Sequence, residues 1–204
     1  MVEAGRSSAR RAQITSSAAR LFLQKGYEAT TVREIAKEVG LRSGSLFSHF
    51  GSKQEILVVV MDGGLRVAIE RADEALDGVT GARERLLSLA RAHLRTLLGE
   101  ATEALAVSQY EWRSLYPESQ QEVLRLRDQY EDRWREVLEE SGDEGLVRTE
   151  DMRVFRLFAL GALNGTVQWY RPSGEYDVDA LAEWFVAFVL GGEGKEAGDA
   201  YNGA

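Results

Sequence analysis

The chain has 204 residues, 44% of them hydrophobic, which is enough to close a core and excludes a disordered protein. It has no cysteine, which excludes disulfides, thiolate metal sites and cysteine nucleophiles, and nothing in its composition implies a metal or other cofactor. The net charge of −8 is unevenly placed: residues 1–57 carry +4 and the remainder carries −12, so a basic head sits on an acidic body, as suits a protein that offers one end to nucleic acid.

Only two prolines occur, Pro117 and Pro172, while Ala, Leu, Glu and Arg dominate, and together these predict an all-α chain. No apolar run reaches the 18 residues of a membrane span and no apolar signal core follows the N-terminal basic residues, so a cytoplasmic protein without a membrane partner is expected.

After a basic leader from Arg6 to Arg11, Ile14, Ala18, Leu21 and Phe22 fall on one stripe of a first helix that Gly26 ends. Thr31-Val32-Arg33-Glu34 has the capping-box spacing and opens a second helix with Val32, Ile35, Ala36 and Val39 inward. Gly40 stands where a tight turn needs positive φ, Leu41 offers an apolar plug, and a short third helix is predicted from about Ser43 to Phe50. The spacing of Ala36, Gly40 and Leu46 is helix-turn-helix punctuation: a small residue at the crossing, a turn glycine and a buried anchor. Ser52-Lys53-Gln54-Glu55 repeats the capping-box pattern and opens a fourth helix through Ile56, Leu57 and Val60.

The runs Thr30 to Ala36, Gly40-Leu41 and Gly44 to Leu57 together resemble the DNA-binding domain of TetR-family regulators. The resemblance implies that the third helix enters the major groove, with Arg42, Ser43, Ser45, Leu46, Phe47 and His49 facing DNA and Thr31 and Lys53 anchoring phosphates. The family usually has tyrosine where this chain has Phe47, so a phenol-to-phosphate hydrogen bond is lost, and Arg42-Ser43 replaces a common serine-then-basic pair. By burial preference alone, Leu46, Phe50 and Ile35 are core residues.

Further helices are predicted near 55–77, 82–99, 101–115, 118–140, 150–170 and 177–190, separated by Gly78 to Gly81, Pro117, Ser141 to Gly145 and Pro172 to Gly174. The last two are apolar on more than one face, through Phe155, Leu157, Phe158, Leu160 and Leu163, then Leu181, Trp184, Phe185, Phe188 and Val189. Such surplus needs a cover, either a second copy of the chain or a central place in its own core. The TetR resemblance implies the first, a four-helix bundle between two protomers, with Phe155, Phe158, Trp184, Phe185 and Phe188 as candidate dimerisation residues. The middle helices are then expected to hold an effector, with His93, Gln109, Tyr110, Arg113, Gln168, Trp169 and Arg171 as candidate ligand-binding residues, and Trp112, Asn164 and Tyr170 beside them. Ser108 to Pro117, Tyr130 and Gln168 to Pro172 are similar to the C-terminal domain of TetR-family repressors of fatty-acid and steroid breakdown, which implies an acyl-coenzyme A thioester as effector.

The expected organisation is a DNA-binding three-helix domain over 1–54, an effector-binding and dimerisation domain over 55–192 and a disordered tail over 193–204, about nine helices in all. The expected function is that of a ligand-responsive repressor, binding a palindromic double-stranded operator as a homodimer and released by a small hydrophobic or acyl-coenzyme A effector. An enzyme is disfavoured because the two histidines, His49 and His93, sit in no HExxH or triad context, GxSxG and GxGxxG are absent, and Gly194-Lys195 lacks the rest of a P-loop. A helical protein-interaction adaptor is the competing class, and it leaves the basic head unexplained.

Overall fold

The computed structural model describes residues 2–99 and 103–191, with side chains from Ser7 onward; the expected tail over 193–204 lies outside the described residues. Within these residues the chain forms nine α-helices and no strand: α1 Val2–Lys25, α2 Val32–Glu38, α3 Ser43–Leu46, α4 Lys53–Leu76, α5 Ala82–Leu98, α6 Glu103–Tyr110, α7 Pro117–Asp143, α8 Met152–Gly165 and α9 Val178–Val189. Two 3₁₀ turns, Trp112–Ser114 and Thr166–Gln168, follow α6 and α8.

Two compact units share these helices. The first comprises Met1–Glu70 and Gly99–Tyr130, the second Arg71–Leu98 and Glu131–Ala204. Residues 54 and 55, either side of the expected boundary, lie in the first turn of α4, which itself runs from the first unit into the second.

In the first unit, α1 packs on α2 and α6, and the predicted stripe of Ile14, Ala18 and Phe22 is buried with Ile35, Leu46, Phe50, Ile56 and Leu57. Gly26 and Gly40 take φ of +83° and +68°, a region open to glycine at little cost, and so stop α1 and turn the chain out of α2. α1 already runs through Arg6 to Arg11, where the sequence suggested only a leader, because alanine and arginine are strong helix formers. α3 is the main correction: it spans four residues and not eight, because the amides of Ser48 and His49 turn to carbonyls three residues back, on Ser45 and Leu46, and tighten the chain into a turn. α6 is likewise shorter than predicted. After α6 the chain makes the Trp112–Ser114 3₁₀ turn and an extended Leu115 with ψ 140°, and Pro117 serves as first residue of α7, where its missing N–H costs nothing.

Gly64 on α4 marks a close crossing with α6. A Cβ placed there would lie 2.6 Å from the Ala104 carbonyl carbon and 2.7 Å from the Leu105 nitrogen. The neighbouring Gly63 faces open space.

In the second unit, α5 packs on α8 and α9. Trp134 of α7 is fully buried at its centre, edge-on to His93 of α5 at 5.7 Å and to Phe185 of α9 at 6.1 Å. Asp151 and Asp177 cap α8 and α9, each accepting from a backbone N–H three residues on, which satisfies a donor that the helix itself leaves orphaned. Ion pairs tie the surface: Arg133 is bidentate to Asp73 at 2.8 and 2.9 Å, and Arg91 and Arg95 both reach Asp179. Each is partly solvated, so these pairs select geometry more than they stabilise.

Candidate functional site

The helix-turn-helix is built around two buried anchors and one exposed face. Thr31 Oγ1 accepts from the Glu34 amide at 3.2 Å while the Glu34 carboxylate accepts from the Thr31 amide at 2.9 Å, so the capping box forms as the sequence predicts. Lys25, then the Thr31 amide and hydroxyl, hold the Glu34 carboxyl at about 2, well below its usual range, and it is ionised throughout the physiological range. The Leu41 amide donates to the Ala36 carbonyl at 2.7 Å, closing the turn.

Of the residues expected to face DNA, Arg42, Ser45 and Phe47 are exposed, Phe47 to 51%, and Thr31 is exposed at the start of α2. Ser43 and His49 are half-buried. Leu46 must be removed from the list. It is 0% exposed and belongs to the core of the unit, as its apolar character and its position in the turn require. Ser48, absent from the expected set, is exposed on the same short turn, with its hydroxyl held on the Ser45 carbonyl at 2.7 Å.

Lys53 has partners within the fold. Its ammonium donates to the carbonyls of Tyr27 at 2.9 Å and Thr30 at 3.0 Å, and lies 4.0 Å from the centroid of the Tyr27 ring. A cation at a helix N-terminus opposes the helix dipole, and these carbonyls and the ring face offset that cost. The second capping box forms only in part: the Glu55 amide donates to Ser52 Oγ at 3.0 Å, but the Glu55 carboxylate turns to the Gly51 amide at 2.7 Å and to Arg11 at 3.3 Å.

Sequence reasoning missed two residues that fix this site. Arg11 of α1 donates to the His49 carbonyl, lies 4.0 Å over the Phe50 ring and pairs with Glu55, stapling the turn after α3 to α1 and α4. Gln54, buried in the first turn of α4, donates to the Tyr27 hydroxyl and to the Ser114 carbonyl, each at 3.0 Å, and accepts from the Tyr116 amide at 3.2 Å. These partners lie 27 to 62 residues away, beyond the reach of any local spacing rule, and only an otherwise unexplained charge or amide within an apolar pattern could have pointed to them.

The candidate effector residues divide between the units. Gln109, Tyr110 and Arg113 belong to the first, and His93, Gln168, Trp169 and Arg171 to the second. Tyr110, Arg113, Gln168, Trp169 and Arg171 are exposed and Gln109 is half-buried, with Arg113 stacked on the Trp112 ring at 5.4 Å. His93 alone of the seven is buried, where it is hydrogen-bonded with Asn164 and flanked by Trp134; burial pushes its pKa down to about 4, so the imidazole is neutral at pH 7.

On the candidate dimerisation face, Phe158 and Phe188 are 75% and 73% exposed and are joined by exposed Val154, Leu157 and Trp184. Phe155 is half-buried. Phe185 is a correction: at 7% exposure it packs inward on Trp134, whereas Phe188, about 60° further round α9, lies past the edge of the core. Among the described residues no helix is long and apolar enough to cross a membrane.

A helix-turn-helix with an exposed reading face, followed by a larger set of helices with an uncovered apolar side, defines a helical DNA-binding regulator. Residues 14–60 match the profile of bacterial regulatory proteins of the tetR family, and residues 79–193 match the tetracyclin repressor-like C-terminal domain. The chain belongs to the TetR family. It is 30% identical over 195 residues to the HTH-type transcriptional repressor KstR2 of Mycobacterium tuberculosis, covering 95% of this chain and 97% of that one. The solved KstR2 structure superposes with a TM-score of 0.77 at 31% identity, covering 92% and 96% of the two chains. The fatty acid metabolism regulator protein of Bacillus subtilis is 26% identical over 182 residues, 88% of this chain and 93% of its own. The solved superantigen PfiT is 42% identical, with a TM-score of 0.71 over 88% of this chain and 95% of its own. The chain is thus a transcriptional regulator of the TetR type and not an enzyme.

Proposed function

We propose that the protein is a dimeric repressor that docks one α3 per half-site of a palindromic operator and is released by an acyl-coenzyme A or a similar bulky amphiphile. The observation that carries the DNA-binding half is the exposed face of Arg42, Ser45, Phe47 and Ser48 over buried anchors, on the basic head of an acidic chain. Residues 1–54 bind DNA and residues 55–192 bind effector and partner. Two copies join through Phe158, Trp184 and Phe188 of α8 and α9, with Phe155 at the margin, and the two reading heads dock in successive major grooves about 34 to 36 Å apart or further. His49 and Ser43 flank the reading face, and Thr31 and Lys53 hold phosphates. Two of the three Lys53 N–H groups are committed to carbonyls, and the remaining charge sits beside the amides of the α4 N-terminus, where an anion is favoured. Operator DNA places its site of action in the cytoplasm.

For the effector, the support is the sequence similarity to fatty-acid and steroid regulators and the Arg113 guanidinium over the Trp112 ring, with Trp169, Tyr170 and Arg171 adjacent in sequence elsewhere in the chain. Gln109 and Tyr110, close to Arg113 in the first unit, are proposed to supply hydrogen bonds to such a ligand. Titration of duplex DNA at several salt concentrations tests the first half: Lys53→Ala should weaken binding to all sequences and reduce the salt slope by about 1 per protomer. An unchanged slope removes Lys53 from the interface. Calorimetry with acyl-coenzyme A thioesters, free acids and unrelated hydrophobic drugs tests the second, and binding of drugs without any thioester would overturn the effector class.

A further inference from the structure

We propose that Gln54 is a positioning residue for Lys53 and the joint through which the Trp112–Tyr116 segment acts on the DNA-binding head. This rests on the reading of Lys53 as a phosphate anchor. The primary amide of Gln54 is fully engaged: both N–H groups donate, to the Tyr27 hydroxyl and the Ser114 carbonyl, and its oxygen accepts from the Tyr116 amide. Ser114 O and Tyr116 N flank the extended Leu115, so the side chain pairs with that backbone as a neighbouring strand would. Leu115 itself is buried, and Gln120 holds its carbonyl at 3.1 Å, so the segment has one defined seat.

The opposite end of the relay is Tyr27. Its hydroxyl is fixed by Gln54, one face of its ring carries the Lys53 ammonium, its backbone carbonyl accepts from that same ammonium, and Phe22 lies 5.3 Å away. Lys53 and Gln54 are adjacent on α4, so any movement of the Ser114–Tyr116 backbone changes what Gln54 can hold, then the tilt of Tyr27, then the place of the ammonium. A buried amide that loses one partner must find another, because an unpaired polar group inside a fold is costly, and this makes the arrangement switch between seats and not drift. The segment it reads carries Trp112 and Arg113, the stacked pair of the candidate effector residues.

The test uses the full chain and a mixed-sequence duplex of about 24 base pairs at low salt, since a phosphate anchor is blind to sequence and two helical turns admit a dimer. Gln54→Met removes all three hydrogen bonds at similar volume. We expect its affinity to fall about tenfold with the salt slope reduced toward that of Lys53→Ala, and the double variant to bind no more weakly than the worse single. A protein that is merely less stable would lose affinity at an unchanged slope. In the unmodified chain, duplex binding should slow hydrogen exchange of the Tyr116 amide by roughly threefold, a response that Lys53→Ala abolishes. Should Gln54→Met fail to fold, Gln54→Glu keeps the bonds to Tyr27 and the Tyr116 amide while opposing the Ser114 carbonyl, and should show a partial loss of slope. A wild-type slope in folded Gln54 variants, additive losses in the double variant, or Tyr116 exchange indifferent to bound DNA each overturns the proposal. If Lys53→Ala leaves affinity and slope unchanged, the anchor reading falls first and the relay with it.

Discussion

Two adjacent glycines of α4 should respond to the same substitution with opposite sign. Alanine at a helix interior is favoured over glycine by about 1 kcal/mol, because the glycine backbone loses more freedom on folding. Gly63 faces open space, so Gly63→Ala should stabilise the protein by most of that amount. At Gly64 the new methyl would lie 2.6 Å from the Ala104 carbonyl carbon and 2.8 Å from its oxygen, and these are backbone atoms that no rotamer change can move aside. Overpacking of that kind costs about 1 to 3 kcal/mol, so the helix gain is exceeded and Gly64→Ala should be destabilising by up to about 2 kcal/mol. For a chain of this length a kcal/mol moves Tm by about 2 to 4 °C, so thermal unfolding should separate the two variants by several degrees, at one protein concentration because a dimer's Tm depends on it. If both variants shift upward together, α4 and α6 do not cross as closely as described.

Phe47→Tyr restores a phenol at the exposed position where the family usually carries one, and should raise duplex affinity about fivefold, the worth of roughly one hydrogen bond, read by fluorescence anisotropy. Phe158→Asp or Phe188→Asp should yield a folded monomer by analytical ultracentrifugation, because both side chains are about three-quarters exposed within one chain and a charge there leaves its core intact. His93 is held near 4 against its usual 6.5 by burial, so its native state resists protonation, and its contribution to stability is complete above pH 6.5 and is lost as the pH falls toward 4. Tm measured over that window should fall more steeply for the unmodified protein than for His93→Gln, which cannot titrate.

The sequence carries the local architecture of the head with little loss. Thr31 and Glu34, Gly26, Gly40 and the Ile14, Ala18 and Phe22 stripe all act where they were read, because caps, turn glycines and stripes are decided within a few residues. What escaped was decided at long range. The end of α3 depends on carbonyls recaptured in the turn and on Arg11 from α1, so its apolar pattern through Phe50 overstated its length. Phe185 and Phe188 are identical in type, and only the place of Trp134 decides which faces inward. The division of candidate effector residues between two units was equally invisible, since α4 and α7 are each long helices that contribute to both.

A four-residue helix cannot hold itself together in water, since fewer than about a dozen residues rarely sustain helical structure unaided. The shape of α3 is therefore lent to it by Leu46 and Phe50 beneath, by Arg11 gripping the turn behind and by the hydrogen-bonded corner ahead. Arg42, Ser45, Phe47 and Ser48, which face outward, contribute little to that shape. Selection can accordingly rewrite them one at a time without endangering the fold, so that, as the proposed reading face, they leave the regulator free to acquire new target sites by point mutation while its scaffold stays as it is.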